Sequence, residues 1–494
     1  MLGLFAAKSS HPLADEGERQ RLLGTLAGTD ALSALHQARE WLRSLAEEAA
    51  MPFPLRAALI RQVDNAAQRP ARIVGREYLA VAHLPGDGAT RLWRTARGHW
   101  AQLAATYNAC LTEFSQSDER PEAHRVELTR LTVRHIRAYA TRLKWDQFRY
   151  WPPSDALWLA VGRAYLYALD NGFARREVSA YPGERRQTTA EREYLRALVA
   201  QVSSMESLLP LEIEIADRLI AHYLPAFALD STPHADFYYS VDAGQRRPPG
   251  RLDRRPEPSL STFYFGTGSA TVALRGLRQQ LEWGTLPSGI DLARYRSPRV
   301  ILPVVRHLES YWSAEPRRRA HDRYRVHSRL TVVCGLSQIL PCLRTGGEPA
   351  QAATWVLDNV SQNGMRARLP LDPDATVRIG SLLGMRPEGG ENWLVGVVRR
   401  FIRTDQSAAA VGVETLSRWP IPATLDGAAA HGVLLLDPIE DGETVRVIAP
   451  GTDHVPGARL SCHALGASFS LDPVEPVERG VEFDLARYRV TLQH

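Results

Sequence analysis

The spacing of apolar residues changes along this chain, and the change rules out any architecture built from one kind of element. Up to about residue 230, stretches such as "ALSALHQAREWLRSLAEEAA", "ELTRLTVRHIRAYATRL" and "TAEREYLRALVAQVSS" place apolar residues three and four apart, with charged residues between them. That spacing makes an apolar stripe on a helix, and the stripe is stable only when other helices bury it. Beyond about residue 325 the apolar residues come in short runs cut by Gly, Pro and Asp, the pattern of strands joined by tight turns. The chain therefore reads as an α+β, multidomain protein. At 494 residues it is also too long for a single core.

The helical part, 1–230, is expected to be a bundle or a stack, with helices stopped at "MPFP" and "RYWPPSD". Within it Trp158, Val161, Gly162, Tyr165 and Ala174 have spacings that resemble a tetratricopeptide repeat. No second copy follows at the ~34-residue period, and such repeats need neighbours to bury their cores, so a buried helix pair is the simpler reading. Residues 231–314 follow as an insert: "ADFYYSVDAG" and "STFYFG" flank a Pro- and Arg-rich stretch like the arms of a hairpin, and "SPRVILPVVRHLESYW" reads as a connecting helix. The "GTGSAT" inside this insert has two glycines of a dinucleotide fingerprint but Thr271 in place of the third, and is read as a turn. From 315 to 420, "RVHSRLTVVCGL", "ATWVLDNVS", "MRARLPL", "TVRIGSLLGM", "NWLVGVVRRFIR" and "AAAVGVETL" predict a six-stranded antiparallel barrel. Over 421–494, "HGVLLLDP", "ETVRVIAP", "ARLSCHA" and "GVEFDLARYRVTL" predict a further small β module.

Composition narrows the function. No apolar run approaches the ~18 residues of a membrane span, and "MLGLFAAKSS" lacks the charged start of a secretory signal. Cys110, Cys334, Cys342 and Cys462 are scattered without CxxC pairing, which argues against structural disulfides and a zinc site and for the cytoplasm. Lys8 and Lys144 are the only lysines among 60 basic residues, so the net charge of +5 is an arginine charge. No nucleophile elbow, HExxH, Walker loop or pair of catalytic carboxylates is present, so no catalytic residue, metal or cofactor is expected.

Two motifs meet at the boundaries of the predicted barrel. "RRRAHDRYRV" carries Arg319 and Arg323 in an RxxxR pattern just before the first strand, and "NVSQNG" carries Asn359, Ser361 and Gly364 where an early strand turns back. In so arginine-rich a chain roughly seven RxxxR matches arise by chance, but an Asp/Asn-x-Ser-x-x-Gly pattern is expected only roughly 0.15 times. The pair in this order, with "LVGVVRRF" and "VGVETL" as closing strands, resembles the PilZ domain, the bacterial receptor module for cyclic di-GMP. The family more often has Asp where Asn359 stands, and the connection "LRTGGEPAQAAT" makes the gap between the motifs longer than usual.

The resemblance implies a PilZ-like barrel that binds cyclic di-GMP. Arg319 and Arg323 would clamp a guanine edge or a phosphate, with Arg318 as a helper. Asn359 and Ser361 would hydrogen-bond the base and ligand backbone, and Gly364 would allow close main-chain approach. His321, inside the clamp, reads as a spacer. The chemistry suits the ligand, because arginine both stacks and gives paired hydrogen bonds to guanine O6 and N7. Ordering of the leader would carry occupancy to the helical region and, through it, to a protein partner. Two other readings stand beside this one. One is a nucleotide-independent scaffold or adaptor with a degenerate barrel, in which "RRRAHDR" is a solvated basic run and "NVSQNG" a bare turn. The other is nucleic-acid binding driven by the arginine surplus; no specific nucleic-acid partner is expected.

Overall fold

A computed structural model describes residues 11–48, 51–84, 86–184, 186–252, 259–292, 295, 297–315, 321–347, 349, 352–371, 377–426, 432–451, 458–480 and 482–492. The chain divides into two compact units, Met1–Arg317 and Arg318–His494. The helical region is followed by two closed six-stranded antiparallel barrels, so the architecture is α+β and multidomain.

The first unit begins with α1 (Glu16–Gly28), α2 (Ala31–Glu47), α3 (Phe53–Val81), α4 (Asp87–Gln116), α5 (Arg125–Gln147), α6 (Asp155–Asp170), α7 (Ala190–Val202) and α8 (Pro210–Tyr223). Local sequence sets several starts: Asp15 accepts the Glu18 amide, Asp30 those of Leu32 and Ser33, and Thr189 that of Arg192. Helices α2 to α5 pack on one another around Leu35, Leu42, Ile60, Leu103 and Ile136. The carboxylate of Asp64 lies inside this core. Asp64 takes hydrogen bonds from Tyr107, Tyr181, Gln68 and Arg134, and Arg134 also donates to the carbonyls of Ala180 and Arg61. A lone buried carboxylate would cost several kcal/mol, so these donors are what make it tolerable.

The tetratricopeptide-like spacing has a local explanation. A Cβ on Gly162 would lie 2.0 Å from the Ala243 carbonyl oxygen, so the approach of another chain segment dictates the glycine. Its helix α6 packs on α7, with Tyr165 stacked on Tyr194 at 4.6 Å, as a buried pair.

The insert holds more than a hairpin. Strands β1 (Ala228–Asp230), β2 (Phe237–Asp242), β3 (Gly250–Arg251) and β4 (Thr262–Gly266) make a four-stranded sheet in the order β1-β4-β2-β3, followed by α9 (Ala270–Glu282) and α10 (Pro298–Trp312). β1 and β3 span three and two residues, too short to leave an alternation pattern. The "GTGSAT" glycines serve packing: a Cβ on Gly266 would meet the Asp236 carbonyl at 2.2 Å, and one on Gly268 the Ala226 carbonyl at 2.3 Å.

In the second unit, β5 (Tyr324–Cys334), α11 (Leu336–Thr345), β6 (Ala353–Ser361), β7 (Gly364–Pro370), β8 (Leu382–Pro387), β9 (Leu394–Arg403) and β10 (Ala408–Ser417) form the first barrel, in the order β10-β7-β6-β5-β8-β9 with β9 closing on β10. Strict alternation along β7 buries Met365, Ala367 and Leu369 and leaves Arg366 and Arg368 outside. The strands fall on the predicted runs, but helix α11 was not anticipated. It packs against the second barrel as well as against β5 and β8, so part of the longer gap between the motifs is a structural element. That second barrel comprises β11 (Ile421–Leu425), β12 (Gly432–Leu435), β13 (Thr444–Pro450), β14 (Leu460–Ala464), β15 (Ala467–Arg479) and β16 (Phe483–Leu492). Two of its strands, β11 and β15, lie outside the predicted runs. Pro473 and Pro476 make β15 read as a loop, and the barrel accommodates both beside register shifts. No helix among the described residues is long and apolar enough to cross a membrane.

Two histidines in the helical core set an acid limit on stability. His99 is fully buried with neither ring nitrogen paired among the described residues, and His135 pairs only Nδ1, with the Ala104 carbonyl. Burial lowers both pKa values to about 4, with Arg39 adding to the effect at His99. The unfolded chain takes up these protons near the ordinary pKa of ~6.5. Their contribution is therefore intact above that pH, falls by about 1.4 kcal/mol per pH unit for each group down to about 4, and is constant below. Denaturant titrations between pH 7 and 4 should show this slope, and the variant His99→Phe should show a shallower one; an unchanged slope would count against the assignment.

Candidate functional site

The site is built where β5 enters the barrel and β6 turns into β7. Tyr324 opposes Val360, and Arg325 opposes Asn359, so the chain just before β5 runs beside the end of β6. Arg323 lies one residue before that pairing and is exposed. Arg318 and Arg319, the other basic residues of the predicted clamp, lie outside the described residues. The leader is fastened to the turn by a side-chain bond of 3.1 Å between His321 Nε2 and Asn363 Nδ2. His321 is thus a tether and not a spacer. Of the first motif, the described Arg323 lies beside the end of β6 that leads into the second.

The turn itself needs little from a ligand. Ser361 opposes Gly364, with Gln362 and Asn363 between them, and Ser361 Oγ donates to the Gly364 carbonyl at 3.1 Å. Among the described residues with positive φ, none belongs to this turn, so Gly364 is not there for left-handed backbone. A Cβ at 364 would lie 2.6 Å from the Val413 carbonyl oxygen, and the glycine is what lets β7 come so close to β10.

Asn359 is different. Register shifts fall between Leu357 and Asn359 on one side of β6 and between Arg325 and Ser328 on the other. These bulges break the alternation that buries Trp355 and Leu357, and they align Asn359 with exposed Arg325 on β5 and exposed Arg366 on β7. Its Oδ1 is buried and has no hydrogen-bond partner among the described residues. An unpaired buried acceptor costs about 1–3 kcal/mol, so this atom is a standing demand for a donor. The neighbouring Asp358 is already used, accepting from Arg368 Nε at 2.8 Å with Arg366 Nε at 3.8 Å.

The row continues around the barrel. Gly412 opposes both Arg366 and Arg400, which gives an outer band Arg325, Asn359, Arg366, Gly412, Arg400 with no side chain between the last two arginines. Arg323 and Arg325 have no side-chain hydrogen bond or ion pair among the described residues. Sequence reasoning missed Arg325 and Arg366, because only the bulged register reveals that they flank Asn359. Two cavities lie away from this face. One of about 20 Å³ sits against Lys144, Arg196 and Asp217, and a groove of about 470 Å³ lies along Ser240, Asp242 and Arg247.

Comparison with known proteins adds a finding from the other unit. Residues 18–234 match the family model described as "Cyclic-di-GMP receptor FimW, N-terminal domain". The match covers less than half of the chain, lies in the helices that the PilZ resemblance left aside, and does not reach the barrel. No curated protein matches the chain.

Gly364→Ala should destabilise the protein by about 1–3 kcal/mol, the usual range for overpacking, because a carbonyl cannot give way as a flexible side chain would. Chemical denaturation without any ligand measures this, and an unchanged midpoint would show that β7 and β10 can separate freely.

Proposed function

We propose that this protein is a cytoplasmic receptor for cyclic di-GMP, in which a PilZ-like first barrel binds the dinucleotide and the helical region passes occupancy to a protein partner. The observation that carries the reading is Asn359 Oδ1, buried and unpaired among the described residues, standing between Arg325 and Arg366, beside the tethered leader that bears Arg323. Guanine supplies N–H donors for the acceptor and O6 and N7 for a guanidinium, while the phosphates of the dianion meet the remaining arginines. In this reading Arg318, Arg319 and Arg323 clamp the ligand from the leader, Asn359 and Ser361 hydrogen-bond it, and Gly364 holds the hairpin that presents them. The family match in the helical region supports the same ligand independently of the barrel motifs.

The scaffold reading also draws on a specific observation. Ser361 and Gly364 are explained by the Gly364 and Val413 carbonyls, so two of the three residues of the hairpin motif would be needed in a barrel that binds nothing.

Titration calorimetry with cyclic di-GMP separates the two. The wild type should bind, and Arg323→Ala and Asn359→Ala should each weaken binding by roughly tenfold or more, since a paired arginine–guanine contact is worth about 1–3 kcal/mol. Duplex DNA should not compete at physiological salt. No binding by the wild type, or unchanged affinity in both variants, would leave the scaffold.

A further inference from the structure

The two barrels are joined by a short connection that leaves a tryptophan in water. Trp419 is 74% exposed, between Ser417 at the end of β10 and Ile421 at the start of β11. A large indole on the surface forgoes the benefit of burial, so its place needs a reason. The connection is not slack. The Trp419 amide donates to Ser417 Oγ at 3.2 Å, and Asn392 Nδ2 donates to the Arg418 carbonyl at 2.8 Å. Arg418 Nη2 donates to the Gln362 carbonyl at 2.6 Å, at the tip of the hairpin that bears Asn359. The backbone that carries the indole is therefore pinned to the candidate site while the ring stays open. On the leader side of that hairpin, Tyr324 opposes Val360 and is 68% exposed. Gln362 and Asn359 are three residues apart, so Arg418 holds the same hairpin that presents Asn359.

We propose that Trp419 stacks on a purine base of the nucleotide held at Asn359, so that occupancy also holds Arg418 and the connection between the barrels. This rests on the receptor reading above. Every base has a π face, and an exposed aromatic ring beside basic side chains is an arrangement that captures nucleotides by stacking. The role is one of binding, and it brings the joint into contact with the ligand.

The test uses the full chain, cyclic di-GMP, calorimetry and tryptophan fluorescence. Trp419→Ala should weaken binding by roughly 5- to 100-fold, in line with the loss of one stacked base. Trp419→Phe should stay within a few-fold of wild type but lose most of the ligand-induced fluorescence change. Because the side chain is exposed, both variants should melt with the wild type. If Asn359→Ala weakens binding and Trp419→Ala does not, the stacking role is overturned and the receptor reading stands. If the wild type does not bind cyclic di-GMP, or Asn359→Ala binds like wild type, the receptor reading fails and the stacking role fails with it.

Discussion

The close approach of β7 to β10 at Gly364 governs what surrounds it. The Val413 carbonyl occupies the space a Cβ would need, which fixes the start of β7 against β10, and the Ser361 hydroxyl then ties the end of β6 to the same residue. With the hairpin held at its tip, the extra residue in β6 has to be absorbed further down, between Leu357 and Asn359. The bulge turns Asn359 out of the barrel's alternation and into line with Arg325 and Arg366. An unpaired polar atom persists only where the structure around it is over-determined, and barrel closure from β10 through β7, β6 and β5 to β8 and β9 supplies that rigidity.

The second barrel is held mainly by apolar contact. Leu336, Ile339 and Leu340 of α11 share a buried cluster with Leu434, Ile448, Phe483 and Leu485 of the second barrel, and a Cβ on Gly432 would already collide with Leu340 at 2.4 Å. Each fully buried side chain of this size contributes about 1.5–3 kcal/mol. Polar clasps sit at the rim. Arg399 reaches both Glu414 of β10 and, through two bonds of 2.5 and 2.6 Å, Glu478 of β15, and Arg446 bonds Asp437 and the Leu416 carbonyl. Partly exposed pairs of this kind are worth about 0–1 kcal/mol each, so they fix the orientation that the apolar cluster stabilises.

The sequence revealed elements with a strong period and missed those without one. A long amphipathic helix such as α2, and the alternating strand β7, could be read nearly to the residue because burial of one face imposes its spacing on the chain. β1 and β3 are too short to show a pattern, β15 contains two prolines, and α11 carries Pro341 within its helix. In the candidate site the residue types were legible, but their roles depended on register. Arg325 and Arg366 stand out only once the bulge sets them beside Asn359, and the bond from His321 to Asn363 joins residues 42 apart in sequence. Gly364 is expected from the sequence to allow close approach to a ligand, whereas the approach the structure shows is that of the Val413 carbonyl in β10, about fifty residues away.

That last point divides the hairpin motif by function. Ser361 and Gly364 satisfy demands made by the barrel itself, and a barrel of this shape requires them whether or not anything binds. Asn359 satisfies no internal demand, since its Oδ1 has no partner among the described residues, and neither Arg323 nor Arg325 is committed to a partner there. A motif match therefore combines two kinds of information, the persistence of a tight hairpin and the persistence of an unmet hydrogen bond. Only the second distinguishes a receptor from a barrel that has kept its shape and lost its ligand. The acceptor of Asn359 and the guanidinium of the Arg325 that opposes it both lack partners among the described residues, and the physical case for a ligand rests on them.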